Sequence, residues 1–485
     1  MNNKLILPLV IAALSGTSSS AHAGWTLIAQ AGLDGASDLS SATSAALESG
    51  VAGNILGGLG SGIAWAGGNT FIATPDRGPN ASAYNSLVED TTSYITRFQT
   101  LNMALTANNS GSGLAYKLAP TLTATTLLSS PTALTYGTGA LGTDATHTLA
   151  SGVPALNSVN NTHYFTGRSD GFDASQPSSN PNNGRFDPEG VRVSNDGKSV
   201  FISDEYGPYV RQFDRASGEL MKTFNLPANL AVAVQGPTTT SEAVNATGRV
   251  ANKGMEGLAI TPDGKTLVGV MQAPLLQDTN KNIRIVTIDI ASGTTHEYAY
   301  KLTTGSGVSE IIALNGHEFL LDERDGKGLG DGTAAVNKQL FKIDLSNATE
   351  VSGISGDLST ASASLNKTLV LDVKAILVAN GISADKIPAK IEGLAFGEDA
   401  MVNGQLMHTL YVSTDNDFLA SAVASGVTIA NPSMFYVFGF TDADLGGNTV
   451  LQAQQLNAVP VPAAVWLFGS AFIGLIGFNR KRQSR

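Results

Sequence analysis

The sequence predicts an all-β fold: a β-propeller of six blades, each of four antiparallel strands. Three observations lead there. The 485 residues include 53 glycines and no cysteine, and only 14% are charged, a composition that favours turns and strands over helices. Short apolar runs alternate with turn signals along most of the chain. One hairpin, opening on a short acidic motif, also recurs several times, as the blades of a propeller do. A β-sandwich would not need Glu-Gly at the same point of successive hairpins.

The clearest copy is Phe186-Asp187-Pro188-Glu189-Gly190-Val191-Arg192, the tight turn Ser194-Asn195-Asp196-Gly197-Lys198, and the return Val200-Phe201-Ile202-Ser203-Asp204-Glu205-Tyr206-Gly207. Taken in order, 24–30 reads as a lone strand with no hairpin partner nearby, suited to completing the last blade and closing the ring. Residues 61–65, a Gly67-Gly68-Asn69 turn and 70–73 form the first hairpin, which ends in Asp76-Arg77-Gly78-Pro79. Extended runs at 94–105 and 114–128 precede a loop-rich stretch, 129–185, marked by Ser, Asn, Pro and Gly clusters. After the central hairpin come strands at 210–213 and 221–224. Residues 254–260 turn at Pro262-Asp263-Gly264-Lys265 into 266–272, with outer strands at 283–289 and 295–301. A weaker copy spans 308–314 and 318–325. Residues 390–396 with 409–417 form the next, and 435–440 close the series. Five units are visible, starting at Gly62, Glu189, Glu256, Glu310 and Glu392. The long step from Gly62 to Glu189 leaves room for a sixth blade.

Both ends of the chain read as addressing segments around a propeller domain at 24–458. Lys4, the apolar run 5–14 and Ala21-His22-Ala23 before Gly24 form an export signal over 1–23. The tail, 459–485, runs from Val459-Pro460-Val461-Pro462 through an apolar stretch to Arg480-Lys481-Arg482. It resembles PEP-CTERM sorting signals in their Val-Pro-Leu-Pro-Ala variant, with Val461 in place of the usual Leu. That resemblance implies processing by an exosortase, after signal peptidase, and display on the surface or in the extracellular matrix of a Gram-negative bacterium. A plain membrane anchor is the alternative, although the apolar part is shorter than the ~20 residues of a usual span. The body between the two segments holds 24 basic and 40 acidic residues, a balance of −16. This argues against nucleic acid as a partner and for cation binding.

In a propeller the inner strands start and end around one channel, so Glu189, Glu256, Glu310 and Glu392 are expected near one another. Asp76, Asp204, Glu205, Asp322, Glu323, Asp415 and Asp417 end the return strands and are expected on the same face. So many carboxylates cannot stay ionised together without countercharge. Ca²⁺ tolerates crowded, irregular oxygen sets best, whereas six His and no Cys give little for zinc or copper. The expected metal set is Glu189, Asp204, Glu205, Glu256, Asp322, Glu323 and Glu392; Glu189, Asp204, Glu205 and Arg324 are the expected catalytic groups. Arg77, Arg192, Arg211 and Arg324 lie beside these acids, to hold anionic substrate oxygens or simply to pair with the carboxylates. Any one motif Glu is as readily a structural clip between blades.

Phe-Asp-Pro-Glu-Gly-Val, Ser-Asp-Glu-Tyr-Gly-Pro, Gly-Met-Glu-Gly-Leu-Ala-Ile-Thr-Pro-Asp-Gly and Leu-Asp-Glu-Arg-Asp together resemble the bacterial phytase-like propellers with esterase-like activity. Asp76-Arg77-Gly78-Pro79 is similar to the first unit of that family, and the resemblance runs from about Gly60 to Phe440. It implies Ca²⁺ and an ester substrate, a phosphate ester foremost. Metal ions would polarise the ester and acidify an attacking water, and a carboxylate free of metal would act as general acid. A non-catalytic, calcium-stabilised matrix propeller and a metal-dependent lactonase are the alternatives. Gly167-Arg168-Ser169-Asp170-Gly171 matches a nucleophile elbow only in spacing, without a following helix. Asp278-Thr279-Asn280-Lys281-Asn282 opens like a Ca²⁺ loop but lacks its Gly and its last Glu.

Overall fold

In the computed structural model the described residues are 24–456, apart from 34, 48, 81–91, 136–160, 168–179, 181, 235–243 and 359–364. The export signal, the sorting tail and most of the Gly167–Gly171 pattern lie outside them. Among the described residues, five antiparallel sheets stand around a central channel, four of them four-stranded and the fifth carrying one extra short strand beside its four. The first holds β2 (Gly62–Trp65), β3 (Thr70–Thr74), β4 (Arg97–Ala107) and β5 (Tyr116–Leu127). A two-stranded ribbon, β6 (Ser129–Ser130) with β7 (His163–Tyr164), follows. The second blade is β8 (Pro188–Val193), β9 (Ser199–Asp204), β10 (Tyr209–Asp214) and β11 (Leu220–Asn225). The third is β12 (Met255–Ile260), β13 (Thr266–Met271), β14 (Asn282–Asp289) and β15 (Thr295–Lys301). The fourth is β16 (Gly307–Ala313), β17 (Glu318–Arg324), β18 (Lys338–Asp344) and β19 (Lys367–Asp372), followed by the short helix α1 (Val373–Ala379). The fifth has β20 (Lys390–Phe396) innermost, then β22 (Gln405–Asp415) and β25 (Ser433–Phe440), with β21 (Ala400–Val402) beside β22 and the hairpin β23 (Ser421–Ala424) with β24 (Val427–Ala430) projecting.

The outermost strand of the fifth blade comes from the other end of the chain. β1 (Thr26–Leu33) pairs antiparallel with β25 and closes the ring, as the lone first strand predicts. Trp25 stacks on Phe440 at this joint, with ring centroids 4.2 Å apart.

Among the described residues the sixth blade expected between Gly62 and Glu189 is absent. β2 packs directly on β8, and a Cβ placed on Gly62 would lie 2.8 Å from the Val191 N, so nothing separates the first blade from the second. The extra length goes into β4 and β5, of 11 and 12 residues, and into connecting chain. Part of that chain packs Phe165 edge-on against Phe186 and Phe213.

Blades meet through apolar side chains that lose all contact with water. Leu258, Val270, Ile285 and Ile311 are fully buried in one such cluster, each a gain of about 1.5–3 kcal/mol relative to exposure. Near the axis the seam is backbone. Glycines of the inner strands let neighbouring blades touch: a Cβ on Gly190 would meet the Leu258 N at 2.5 Å, and one on Gly257 the Glu310 Cα at 2.7 Å. Hydroxyls clip the same seams. Thr74 Oγ1 donates to the Glu189 carbonyl (2.7 Å) and Ser309 Oγ to the Ile391 carbonyl (3.1 Å), each across to the next blade.

The channel is divided at mid-height. Arg192 of β8 donates to the carbonyls of Ile63 (2.8 Å) in the first blade and Ile311 (2.9 Å) in the fourth, and pairs with Glu310 at 3.0 Å. Glu310 in turn accepts from the Leu258 N–H of the third blade at 2.9 Å. Below this tie lies an apolar hollow of about 360 Å³, bordered by Ile63, Ile260, Ile312 and Leu394 and covered by 452–456. Gln454 Nε2 anchors that cover, donating to the Val193 carbonyl and to Asn195 Oδ1, both at 2.7 Å.

Candidate metal and active site

Above the tie lies a cavity of about 230 Å³, and strand alternation explains its lining. Thr74, Ser203, Val270, Asp322 and Ser413 hold matching places on the second strands; the last four stand at a bulge in the inner strand of their own blade, and Thr74 pairs with Gly62 at the start of β2. Side chains alternate faces along a strand, so two residues further on Asp76, Glu205, Gln272, Arg324 and Asp415 all reach the cavity. The residue between turns away, into its own blade. The inner-strand bulges supply Glu189, Glu256 and Glu392 to a second ring, and Ser61, just before β2, lines the same space.

This parity divides the predicted set. Glu189, Glu205, Glu256, Glu392 and Arg324 come together as expected, with Asp76 and Asp415. Asp204 does not. Its Oδ1 accepts from the Asp187 and Tyr206 N–H groups at 3.2 and 2.9 Å, and its Oδ2 lies 3.8 Å from Arg211 Nε. Glu323 also turns outward, accepting from Tyr300 Oη (2.7 Å), from the Thr303 and Gly305 N–H groups, and from Lys367. Burial opposes its ionisation, but Lys367 and those N–H donors hold its pKa down to about 2. Asp322 lies between blades, accepting from Ser309 Oγ at 3.1 Å. Glu310 is not the equivalent of Glu256 either. The bulge of β16 falls on Ser309, so Glu310 takes the place of a motif glycine and ties blades together. Arg192 and Arg211 are structural partners of Glu310 and Asp204. Asp278 is a turn residue bound to Arg284 (3.0 Å) and the Leu358 N–H, and belongs to no Ca²⁺ loop.

At the cavity wall and just behind it the acids gather in two trios. One oxygen each of Asp187, Glu189 and Glu205 lies within 4.8 Å of the others, and the same holds for Asp76, Asp415 and Asp417. Arg77 serves Asp187, its backbone N–H donating at 2.8 Å and its Nη1 at 3.3 Å. Arg324 bonds Glu392 and lies 3.6 Å from Glu256. Gln272 Nε2 donates to Glu256 Oε1 at 2.7 Å. Glu205 Oε1, Glu256 Oε2 and Ser61 Oγ are buried without a hydrogen-bond partner among the described residues.

Burial, and then mutual repulsion, pushes these acids up: Asp187 to about 8, Glu205, Glu256 and Glu392 to about 7, and Glu189 well above its ordinary range. The site has more negative charge than its own cations offset. An all-oxygen, crowded donor set with unfilled lone pairs suits a hard cation, and Ca²⁺ in particular, since the ring imposes no octahedron. Asp187 and Lys390 escape the predicted set. Asp187 stands in the quoted motif two residues before Glu189, and Lys390 two residues before Glu392; that spacing was the available signal.

A family model described as "Phytase-like: Esterase-like activity of phytase" matches residues 54–418. An uncharacterized secreted protein of Arthroderma benhamiae is 31% identical over 311 residues, covering 54% of this chain and 54% of the relative, so the chain spans about half the length of that curated relative. Among solved structures, hydrazine synthase of Kuenenia stuttgartiensis is 10% identical over 74% of this chain and 78% of that one, with a TM-score of 0.30. A 6-phosphogluconolactonase-like protein of Bacteroides uniformis is 13% identical over 78% and 88%, with a TM-score of 0.28. Likeness this distant has no bearing on activity.

Proposed function

This chain belongs to the phytase-like family described by its esterase-like activity, and on that premise we propose that it is an exported, calcium-dependent hydrolase of ester bonds, with phosphate esters as its substrates. The observation behind this reading is the pair of buried, unpartnered carboxylate oxygens, on Glu205 and Glu256, facing one small cavity.

Asp187, Glu189 and Glu205 would hold the ion. Bound calcium would polarise an ester oxygen and lower the pKa of a water ligand. Glu256, pushed up to about 7 chiefly by burial, is the group suited to hold a proton and pass it to a leaving oxygen near neutral pH. Arg324, clamped against Glu392 and near Glu256, keeps both carboxylates on the cavity wall. Asp204, Asp322 and Glu323 do not line the cavity and would support the ring without taking part in the chemistry. The Arg192 tie closes the floor and excludes water from below.

Export rests on the N-terminal pattern at 1–23, and the Arthroderma benhamiae relative is itself described as secreted. Surface sorting by an exosortase rests on the tail at 459–485 alone; no helix among the described residues is long and apolar enough to cross a membrane. The test strips metal from the purified protein and titrates Ca²⁺ back. Release of phosphate from phytate, of nitrophenol from phosphate and carboxylate esters, and of acid from lactones is followed beside Glu189→Gln. Calcium-dependent phosphate release that the variant loses is the expected result. A melting temperature raised by calcium, with no turnover of any substrate, would overturn it in favour of a non-catalytic matrix propeller.

A further inference from the structure

The two acidic trios have the same composition class but different fillings. In the trio of Asp187, Glu189 and Glu205, the one cationic side chain in ion-pair contact among the described residues is Arg77, and it meets Asp187 alone. Glu205 Oε1 there has no partner, and beside it on the same cavity wall Glu256 Oε2 and Ser61 Oγ have none either. In the trio of Asp76, Asp415 and Asp417, the Lys390 ammonium donates to Asp415 Oδ2 at 2.7 Å and to Asp417 Oδ1. The other Asp415 oxygen accepts from the Asp417 N–H at 2.7 Å, so both oxygens of that carboxylate are committed. The lysine is fixed by the sheet, since Lys390 at the start of β20 is paired in register with Asp415 on β22.

We infer that Lys390 is a built-in cation standing where a second metal ion would sit, so that this channel takes one calcium ion, at Asp187, Glu189 and Glu205. The inference rests on the calcium reading above and deepens it. An ammonium between Asp415 and Asp417 fills the space that Ca²⁺ would need at 2.3–2.6 Å from the same oxygens, and its charge repels a second cation there. An ammonium has no open coordination position. The Asp76 side of the cavity therefore orients and neutralises, and the Glu205 side is where a water can be activated.

The experiment counts ions and measures no turnover. Metal-free protein is equilibrated with low-micromolar ⁴⁵Ca²⁺, and the bound ion per chain is read for wild type, Lys390→Met, Lys390→Arg and Asp417→Asn, with circular dichroism as the folding control. Wild type should bind one ion, Lys390→Met two and Lys390→Arg one. Asp417→Asn should keep its ion, because that carboxylate holds the lysine. Two ions on wild type, none on wild type, a folded Lys390→Met still at one, or an ion lost from Asp417→Asn would each overturn the assignment. Should Lys390→Met fail to fold, the wild-type count and Asp417→Asn decide. A chain that binds one ion and cleaves no ester would refute the hydrolase reading and leave the role of Lys390 standing.

Discussion

Asp204 accepts two backbone N–H groups with one oxygen and holds the other 3.8 Å from buried Arg211, whereas Glu205, the next residue, turns to the cavity with an oxygen that has no hydrogen-bond partner. Asp204→Asn removes the carboxylate charge beside buried Arg211 and should cost about 3 kcal/mol of stability, read as a lowered melting temperature, with calcium affinity unchanged. Glu205→Gln should do the reverse, weakening calcium binding at least tenfold in titration calorimetry while the melting temperature of the metal-free protein holds or rises. Charge crowding sets the pH response too. Glu205, Glu256 and Glu392 are raised to about 7 in the folded state, so the metal-free fold holds protons that the unfolded chain has released. The stability that these three groups contribute is full below the ordinary carboxylate range and is lost as pH rises from there through about 7. Melts of metal-free protein at about pH 5 and pH 8 should show the higher transition at pH 5, and calcium should raise the pH 8 value most. The Glu-Gly pairs made Glu189, Glu256 and Glu392 legible in the sequence. Glu310 was misleading because Ser309-Glu310-Ile311 carries no glycine to mark the bulge, and one residue of slip exchanges channel for seam. Asp204 and Glu323 were separable in principle, since each is one step out of phase with Glu205 and Arg324.

Inner strands pack edge to edge through glycine, and the seam between the second and third blades shows the constraint. A methyl group on Gly190 would press on the Leu258 N, a backbone atom that cannot turn aside. Gly190→Ala should destabilise the protein by about 1–3 kcal/mol, as overpacking does, measured by denaturant unfolding; no loss would mean that the seam is looser than described. Hairpins were the most legible elements, because turns such as Ser194–Lys198 combine a left-handed glycine (Gly197, φ 70°) with alternating flanks. The outer strands of the fourth blade, β18 and β19, and helix α1 escaped notice, lying among polar connecting residues. Spacing alone suggested the sixth blade, and spacing does not distinguish a blade from added length in two long strands.

The ring is held by the two ends of the described chain, β1 laid against β25 with Trp25 on Phe440. Trp25→Ala should cost about 3 kcal/mol and should lower the single transition of the whole ring, because all five blades share that closure; a separate early transition confined to the fifth blade would contradict this. The closed circle also has a partition, the Arg192 side chain reaching from the second blade to the first and fourth. It turns a tunnel into a blind alley. On the hydrolase reading, whatever enters the acidic chamber leaves by the doorway it came through, and a cleaved acid still inside would bar the next arrival. Initial rates measured with added phosphate should therefore show inhibition that excess substrate relieves, and a queue at one door would set the pace of turnover.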